Sequence, residues 1–140
     1  MQPISGTTQQ EARWFAAKGA RIFQRGAIGF GSLAGLTAVA MAAFAAHGGL
    51  QPLAVQIVDS GLRMQGWHAL ALLFTALWLP RGGTLAAAAA VFFAFGLAAF
   101  CGSVYAFALL GPQFGRLAPL GGSALMLGWL LLALSVFRAR

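Results

Sequence analysis

Charged residues are scarce in this 140-residue chain, at 8% of the total, and only two of them, Glu11 and Asp59, are acidic. An average soluble domain is about 25% charged and about half apolar, whereas 60% of this chain is hydrophobic. A water-soluble fold of this size has too little polar surface to cover so much apolar material. The composition therefore excludes an ordinary soluble domain and predicts that a lipid bilayer surrounds most of the chain.

Cysteine and histidine are rarer still, since Cys101 is the only cysteine and His47 and His68 are the only histidines. A single cysteine excludes an internal disulfide and any CxxC metal or redox motif. Catalytic triads, phosphate-binding loops and dinucleotide motifs are missing. No acidic residue lies in an apolar run, where proton translocation would need one. We therefore predict a protein that is not an enzyme, with no catalytic residue, no metal site and no cofactor.

Nine Lys and Arg residues give the chain a net charge of +7. They lie between apolar runs and form no groove with aromatic residues, which argues against nucleic acid as a partner. Residues 11–25 place Lys18, Arg21 and Arg25 on one helical stripe. This pattern predicts a basic amphipathic helix in the plane of the anionic lipid headgroups. A helical extension of the first membrane span is the alternative.

Four apolar runs predict an all-α fold, an integral membrane four-helix bundle with an N-terminal amphipathic interfacial helix. Breaks rich in Gly, Pro and Arg separate runs long enough to cross a hydrocarbon core of ~30 Å. We predict a polar tail and basic segment over residues 1–25 and a membrane domain over residues 26–140. The predicted spans cover about residues 27–46, 64–79, 84–110 and 117–137, and the connection over residues 48–63 is expected to contain a short helix at the membrane interface.

An even number of spans places both termini on one side of the membrane. With four spans, Arg81, Arg138 and Arg140 share that side with the basic residues before the first span, whereas the other side holds only Arg63 and Arg116. Cytoplasmic loops carry an excess of Lys and Arg. We therefore predict a multi-pass protein of the cell inner membrane with both termini in the cytoplasm.

Polar side chains of the predicted spans gather toward the membrane surface opposite the termini. An unpaired polar group in hydrocarbon costs several kcal/mol, so these groups are expected to face one another. A hydrogen-bonded clasp between helices is one interpretation, and a site for a small molecule, lipid or quinone is another. Metal or haem ligation by the two histidines is a third, although it lacks a further good ligand. The candidate polar cluster consists of His47, Asp59, Arg63, Gln65, His68, Ser103, Tyr105 and Ser123.

Small residues mark candidate positions for close helix packing in the first and fourth spans. Gly31 and Gly35 form a GxxxG pattern, which lets helix backbones approach closely where lipid provides no hydrophobic driving force. The full set of candidate packing positions is Gly31, Gly35, Gly121, Gly122 and Gly128.

Four stretches of the chain resemble the signature segments of one family of small membrane proteins. They read AAFAAHGGL, RMQGWHALALL, FCGSVYAFALLG and LAPLGGSALMLGWLLLAL. The family is known as domain of unknown function four-two-three and includes the transmembrane protein two-five-six group. The resemblance covers roughly residues 29–134 and implies four transmembrane helices but no reaction. Positions that match family motifs are His47, Gln65, His68, Gly102, Ser103, Tyr105, Pro119, Gly121, Gly122, Gly128 and Trp129.

The chain departs from the familiar pattern at Gly66 and Cys101 and in its long basic amino-terminal segment, which falls outside the match. The sequence favours a structural or accessory subunit of a larger membrane complex. Three features support this function: the absence of catalytic motifs, the small-residue helix faces and the basic segment. The alternative is small-molecule, lipid or quinone binding or transport through the polar cluster around His47 and His68.

Overall fold

Helices make up all the regular structure in the part of the chain that the structure describes. This computed structural model describes residues 5–138, with side chains described for residues 8–111 and 115–138. The all-α prediction is confirmed. The elements in chain order are α1 (Ser5–His47), α2 (Pro52–Leu110), a short 3₁₀ helix (Pro112–Leu117) and α3 (Ala118–Phe137).

Three of the described helices are long and apolar enough to cross a membrane, judged by length and composition: Thr8–His47, Pro52–Leu110 and Gly115–Phe137. Four separate helices are therefore not found. The spans predicted over residues 64–79 and 84–110 both lie in α2, because the only non-helical residue inside this helix is Gly83, at φ 57° and ψ −141°. Glycine adopts a positive φ without the steric penalty that a Cβ brings.

The two halves of α2 pack against each other on either side of Gly83. The Tyr105 hydroxyl donates a hydrogen bond to the Gln65 side chain, and the Cys101 sulfur lies 3.8 Å from the Gly61 carbonyl oxygen. Each pair is 40 residues apart in the sequence, a distance of about 60 Å along a straight helix. The helix therefore turns back at Gly83 into a first arm (residues 52–82) and a second arm (residues 84–110).

The basic amino-terminal segment continues directly into the first apolar run. α1 extends from Ser5 to His47 without a break, so the predicted separate amphipathic helix is not found and the alternative, a helical extension, matches the structure. Residues 5–10 of the predicted polar tail are helical as well. Residues 1–4 of that tail lie outside the described part of the chain.

The connection between α1 and α2 is shorter than predicted. It comprises only residues 48–51, because α2 begins at Pro52. Proline is favoured at the first position of a helix, where its missing N–H would have no helical partner. The connection predicted over residues 48–63 is therefore limited to residues 48–51, and the short helix predicted within it belongs to the first three turns of α2.

Glycine contacts set the close approach of α3 to the second arm of α2. A Cβ on Gly121 would collide with the backbone of Phe100, and a Cβ on Gly128 would lie 2.7 Å from the ring of Phe93. Phe93 is fully buried in the core. The two backbones can reach this separation only because neither glycine carries a side chain.

The GxxxG pair of α1 is divided between a packed and an open position. A Cβ on Gly31 would lie 3.0 Å from the side chain of Leu73, whereas a Cβ on Gly35 would have no atom within 4 Å. Gly122 is intermediate, because its Cβ would be in ordinary contact with Phe100 at 3.7 Å. Close packing of α1 on the first arm therefore depends on Gly31 rather than on the pair.

Large apolar side chains cover the outer surface of the bundle. On the first arm of α2, Trp67, Leu70, Phe74 and Leu77 are all more than half exposed and recur at helical spacing. Such a stripe would be unfavourable in water, and it matches a helix face that contacts lipid.

Candidate functional site

Gln65 is the centre of a polar network that joins three helical segments. Its amide nitrogen donates hydrogen bonds of 2.8 Å to the Ala34 carbonyl and of 2.8 Å to the Thr37 hydroxyl. Its amide oxygen accepts a 2.5 Å hydrogen bond from the Tyr105 hydroxyl. One buried side chain on the first arm of α2 thus binds both α1 and the second arm.

His68 lies one helical turn after Gln65 and is almost fully buried. The indole N–H of Trp129 lies 3.1 Å from the Nε2 atom of His68, so Nε2 is the acceptor. Nδ1 lies 2.7 Å from the Met64 carbonyl oxygen, which can only accept. The proton of the neutral imidazole is therefore on Nδ1, because a proton on Nε2 would face the Trp129 N–H.

Aromatic rings surround His68 on two sides. The centroids of the Phe93 and Trp129 rings both lie 6.0 Å from the imidazole centroid, and the two rings contact each other edge to face at 5.3 Å. These rings shield two sides of the imidazole. Both ring nitrogens are engaged, so the side chain links the first arm of α2 to α3.

Gln65 and His68 lie near the middle of the first arm rather than at its end. Residues three apart share a helix face, so both point into the bundle. Because α2 begins at Pro52, His68 is sixteen residues into the helix, about 24 Å from its start. His47, by contrast, is exposed at the last residue of α1. The two histidines therefore differ in position, because His47 is exposed at the end of a helix and His68 is buried near the middle of a helical arm.

Four members of the predicted cluster lie outside this network: His47, Asp59, Arg63 and Ser123. Ser123 donates a 2.9 Å hydrogen bond to the Pro119 carbonyl of its own helix, and Ser103 is buried on the second arm. The structure thus brings together Gln65 and Tyr105, with His68 one turn away. Three ionisable members of the cluster are exposed: His47, Asp59 and Arg63.

A second set of polar contacts near the turn of α2 was missed by the sequence analysis. Proline has no N–H, so Pro80 leaves the carbonyl four residues earlier, on Ala76, without its helical partner. The Gln24 amide of α1 supplies the missing hydrogen bond at 2.8 Å. Nearby, the Trp78 indole donates a 3.0 Å hydrogen bond to the Ser135 hydroxyl of α3. Counting back four residues from Pro80 is the one sequence signal that could have revealed this site.

Trp129 and Thr37 are also partners that the sequence analysis did not place in the cluster. Tryptophan in a span is ordinarily an interfacial anchor, and threonine in a helix ordinarily bonds to its own backbone. Thr37 makes that bond too, donating to the Leu33 carbonyl at 2.9 Å. Its hydroxyl oxygen is still available to accept from Gln65, which the sequence does not reveal.

The buried polar groups of the described side chains form their hydrogen bonds within the protein. Among them, no buried nitrogen or oxygen atom lacks a partner. Groups of three or more His, Cys, Asp or Glu residues with metal-binding geometry are not present in the same part of the chain. The arrangement can hold helices in register, and it offers no paired nucleophile and base.

A lateral cavity of about 290 Å³ lies beside the Gln65 network, between α1 and the second arm of α2. Its walls are mainly apolar, with Gln65 and Tyr105 among the lining residues. Because the polar groups of these two residues already bond to each other, the cavity suits an apolar group better than a polar one. The main apolar lining residues are Phe30, Leu33, Met41 and Leu97.

Comparison with known proteins identifies relatives over most of the chain. A family model described as "Protein of unknown function (DUF423)" matches residues 41–122. A UPF0382 membrane protein of Haemophilus influenzae is 34% identical over 113 residues, which cover 78% of this chain and 91% of that protein. The UPF0382 inner membrane protein YgdD of Escherichia coli strain K12 is 31% identical over 116 residues, covering 79% and 88% respectively. No solved structure matches the chain.

Proposed function

This chain belongs to the DUF423 family of proteins of unknown function, and from that premise we propose that it is a non-catalytic accessory subunit of a larger complex in the inner membrane. The predicted family is thereby confirmed, and the relatives carry the names of membrane proteins rather than of enzymes. The proposal assigns the buried polar network to holding the helices together and assigns contact with partners to the surface.

The unusual length of α1 is the observation that carries this proposal. Its 43 residues extend about 65 Å, roughly twice the ~30 Å hydrocarbon core of a bilayer. Residues 8–23 are all exposed, including Trp14, Phe15 and Ile22 at 53%, 64% and 60%. A helical segment without tertiary packing is only marginally stable in water. A second protein packed on this segment would stabilise it and cover its aromatic side chains.

The length of α1 also suggests separate roles for the two parts of the chain. Residues 1–25 serve as the docking segment, and residues 26–140 form a membrane domain that crosses the bilayer four times because α2 crosses twice. The contacts between the two arms of α2 support this arrangement. Both termini then lie in the cytoplasm, where Lys and Arg are favoured, and the basic residues of α1 contact anionic lipid headgroups.

Co-purification in a mild detergent tests the accessory role. The full chain should isolate one partner in fixed stoichiometry, and Phe15→Ala should weaken that association because it removes an exposed aromatic side chain from the docking segment. Val39→Ala is the matched control, since Val39 is an exposed apolar residue of α1 within the predicted first span. Recovery of the free chain alone, or equal loss with both variants, would contradict the proposal.

The lateral cavity beside Gln65 supports a second candidate function, binding of a lipid or another apolar molecule within the membrane. An Ala98→Phe variant would fill the cavity, which Ala98 lines, without touching the hydrogen bonds of Gln65. Native mass spectrometry should then show loss of a bound molecule from a protein whose thermal unfolding is unchanged. The same bound mass in both proteins would exclude this cavity as its site.

A further inference from the structure

We propose that a cavity between the basic part of α1 and the turn of α2 binds one anionic phospholipid. The cavity has a volume of about 640 Å³ and is separate from the one beside Gln65. It lies where the arms of α2 meet, with Pro80 and Gly83 on one side and Arg21 of α1 on the other. The turn and the basic residue mark this place as the end of the apolar bundle.

The apolar part of the cavity lining suits an acyl chain. Phe23, Leu79, Pro80 and Ala87 line it with apolar surface. A water molecule in the liquid occupies about 30 Å³, so the cavity has room for on the order of twenty groups of that size. A free phosphate ion would leave most of this apolar surface uncovered, which favours a phospholipid as the occupant.

The polar part of the cavity lining suits a phosphate group. Arg21 and Thr84 both line it, and the planar guanidinium donates paired hydrogen bonds that match phosphate geometry. A threonine hydroxyl adds one further donor. Gln24 lines the cavity as well, but its amide already bonds to the carbonyl that Pro80 leaves free. Arg21 is thus the charged residue on which phosphate binding depends.

The charge around the cavity favours an anion over a neutral headgroup. Arg25 follows Arg21 by one helical turn, and Arg81 precedes Thr84 by three residues. The two acidic residues lie elsewhere: Glu11 is about 15 Å from Arg21 along α1, and Asp59 is about 36 Å from Gly83 along α2. Basic pockets between transmembrane helices are typical binding sites for anionic lipid headgroups.

This site rests on the proposed attraction of the basic segment to anionic lipid, and it narrows that attraction to one residue. The test measures binding of phosphatidylglycerol and of phosphatidylcholine with identical acyl chains to the purified full-length protein. Arg21→Gln should weaken phosphatidylglycerol binding about fivefold, as expected for loss of one basic residue near a membrane surface. Arg13→Gln is the control, because it removes the same charge from α1 at a residue that does not line the cavity.

A variant that keeps every charge separates the acyl-chain site from the headgroup site. Ala87→Leu narrows the apolar part of the cavity, so it should weaken binding of phosphatidylglycerol while Arg21 is unchanged. Glycerol phosphate, which has no acyl chain, should not displace the lipid at equal concentration. Displacement by glycerol phosphate, or unchanged binding by Ala87→Leu, would overturn the phospholipid assignment.

The two arginine variants distinguish failure of this site from failure of the broader attraction. Equal weakening by Arg13→Gln and Arg21→Gln would overturn the site and leave a diffuse attraction of the basic segment to anionic lipid. Unchanged binding with both variants would overturn the site and the attraction together. Thermal unfolding of each variant checks that the fold is retained, which the exposure of both arginines leads us to expect.

Discussion

Replacing Gln65 by leucine should destabilise the bundle by removing three hydrogen bonds between helical segments. The bonds run to Ala34, Thr37 and Tyr105. Hydrogen bonds between membrane helices contribute about 0.6 kcal/mol each on average, so the three together contribute about 2 kcal/mol. Leucine has a similar volume, and the loss therefore reflects hydrogen bonding rather than a cavity. The measurement is the free energy of unfolding in mixed micelles titrated with denaturing detergent.

Gln56→Leu provides the matched control, because Gln56 is exposed on the same arm of α2 and the same chemical change there should alter stability by less than ~0.5 kcal/mol. A double-mutant cycle adds Tyr105→Phe. Gln65→Leu leaves the Tyr105 hydroxyl without its acceptor, so the double variant should be more stable than the sum of the single effects by about 0.5–2 kcal/mol. A Gln65→Leu protein as stable as the wild type, or strictly additive effects, would refute the clasp.

Two further predictions concern the packing of the helices. Gln24→Leu should lower the free energy of unfolding by about 1–3 kcal/mol, because it leaves the Ala76 carbonyl unpaired. This loss should disappear in a Pro80→Ala background, where the helix regains its own N–H donor. An equal loss in both backgrounds, measured by detergent unfolding, would contradict the pairing of Gln24 with Ala76. Gly121→Ala should lower stability by about 1–3 kcal/mol through overpacking. Gly35→Ala is the control at an open position and should leave the midpoint of thermal unfolding unchanged or slightly raised. Equal effects of Gly121→Ala and Gly35→Ala would argue against close packing at Gly121.

The fold class could be predicted from the sequence because apolar composition determines the surrounding solvent. The turn predicted over residues 80–83 contains the one non-helical residue of α2, Gly83. The ends of the helices could not be predicted in the same way. Residues 53–62 mix polar and apolar side chains, and a helix that continues beyond the hydrocarbon core shows no compositional boundary where it leaves the lipid. The same reasoning explains why the sequence predicts a separate helix for the basic segment.

The polar network could be predicted only in part. Gln65 and Tyr105 stood out because each is polar within an apolar run, and the structure pairs them. Trp129 did not stand out, because its single N–H is a small part of a large apolar side chain. Gln24 bonds to a backbone carbonyl, and backbone groups are invisible to side-chain patterns. Sequence thus indicates which groups need partners, whereas tertiary structure determines which partners they find.

Chemical labelling of single cysteines tests whether α2 crosses the membrane twice by turning back at Gly83. In a Cys101→Ser background, Gln51→Cys reports on the connection between α1 and α2, and Arg81→Cys reports on the turn between the arms. Both positions are exposed. We predict that an impermeant thiol reagent labels the two cysteines from opposite sides of the membrane, with Arg13→Cys and Arg138→Cys on the side of Arg81→Cys. Labelling of Gln51→Cys and Arg81→Cys from the same side would show that the first arm of α2 does not cross the membrane.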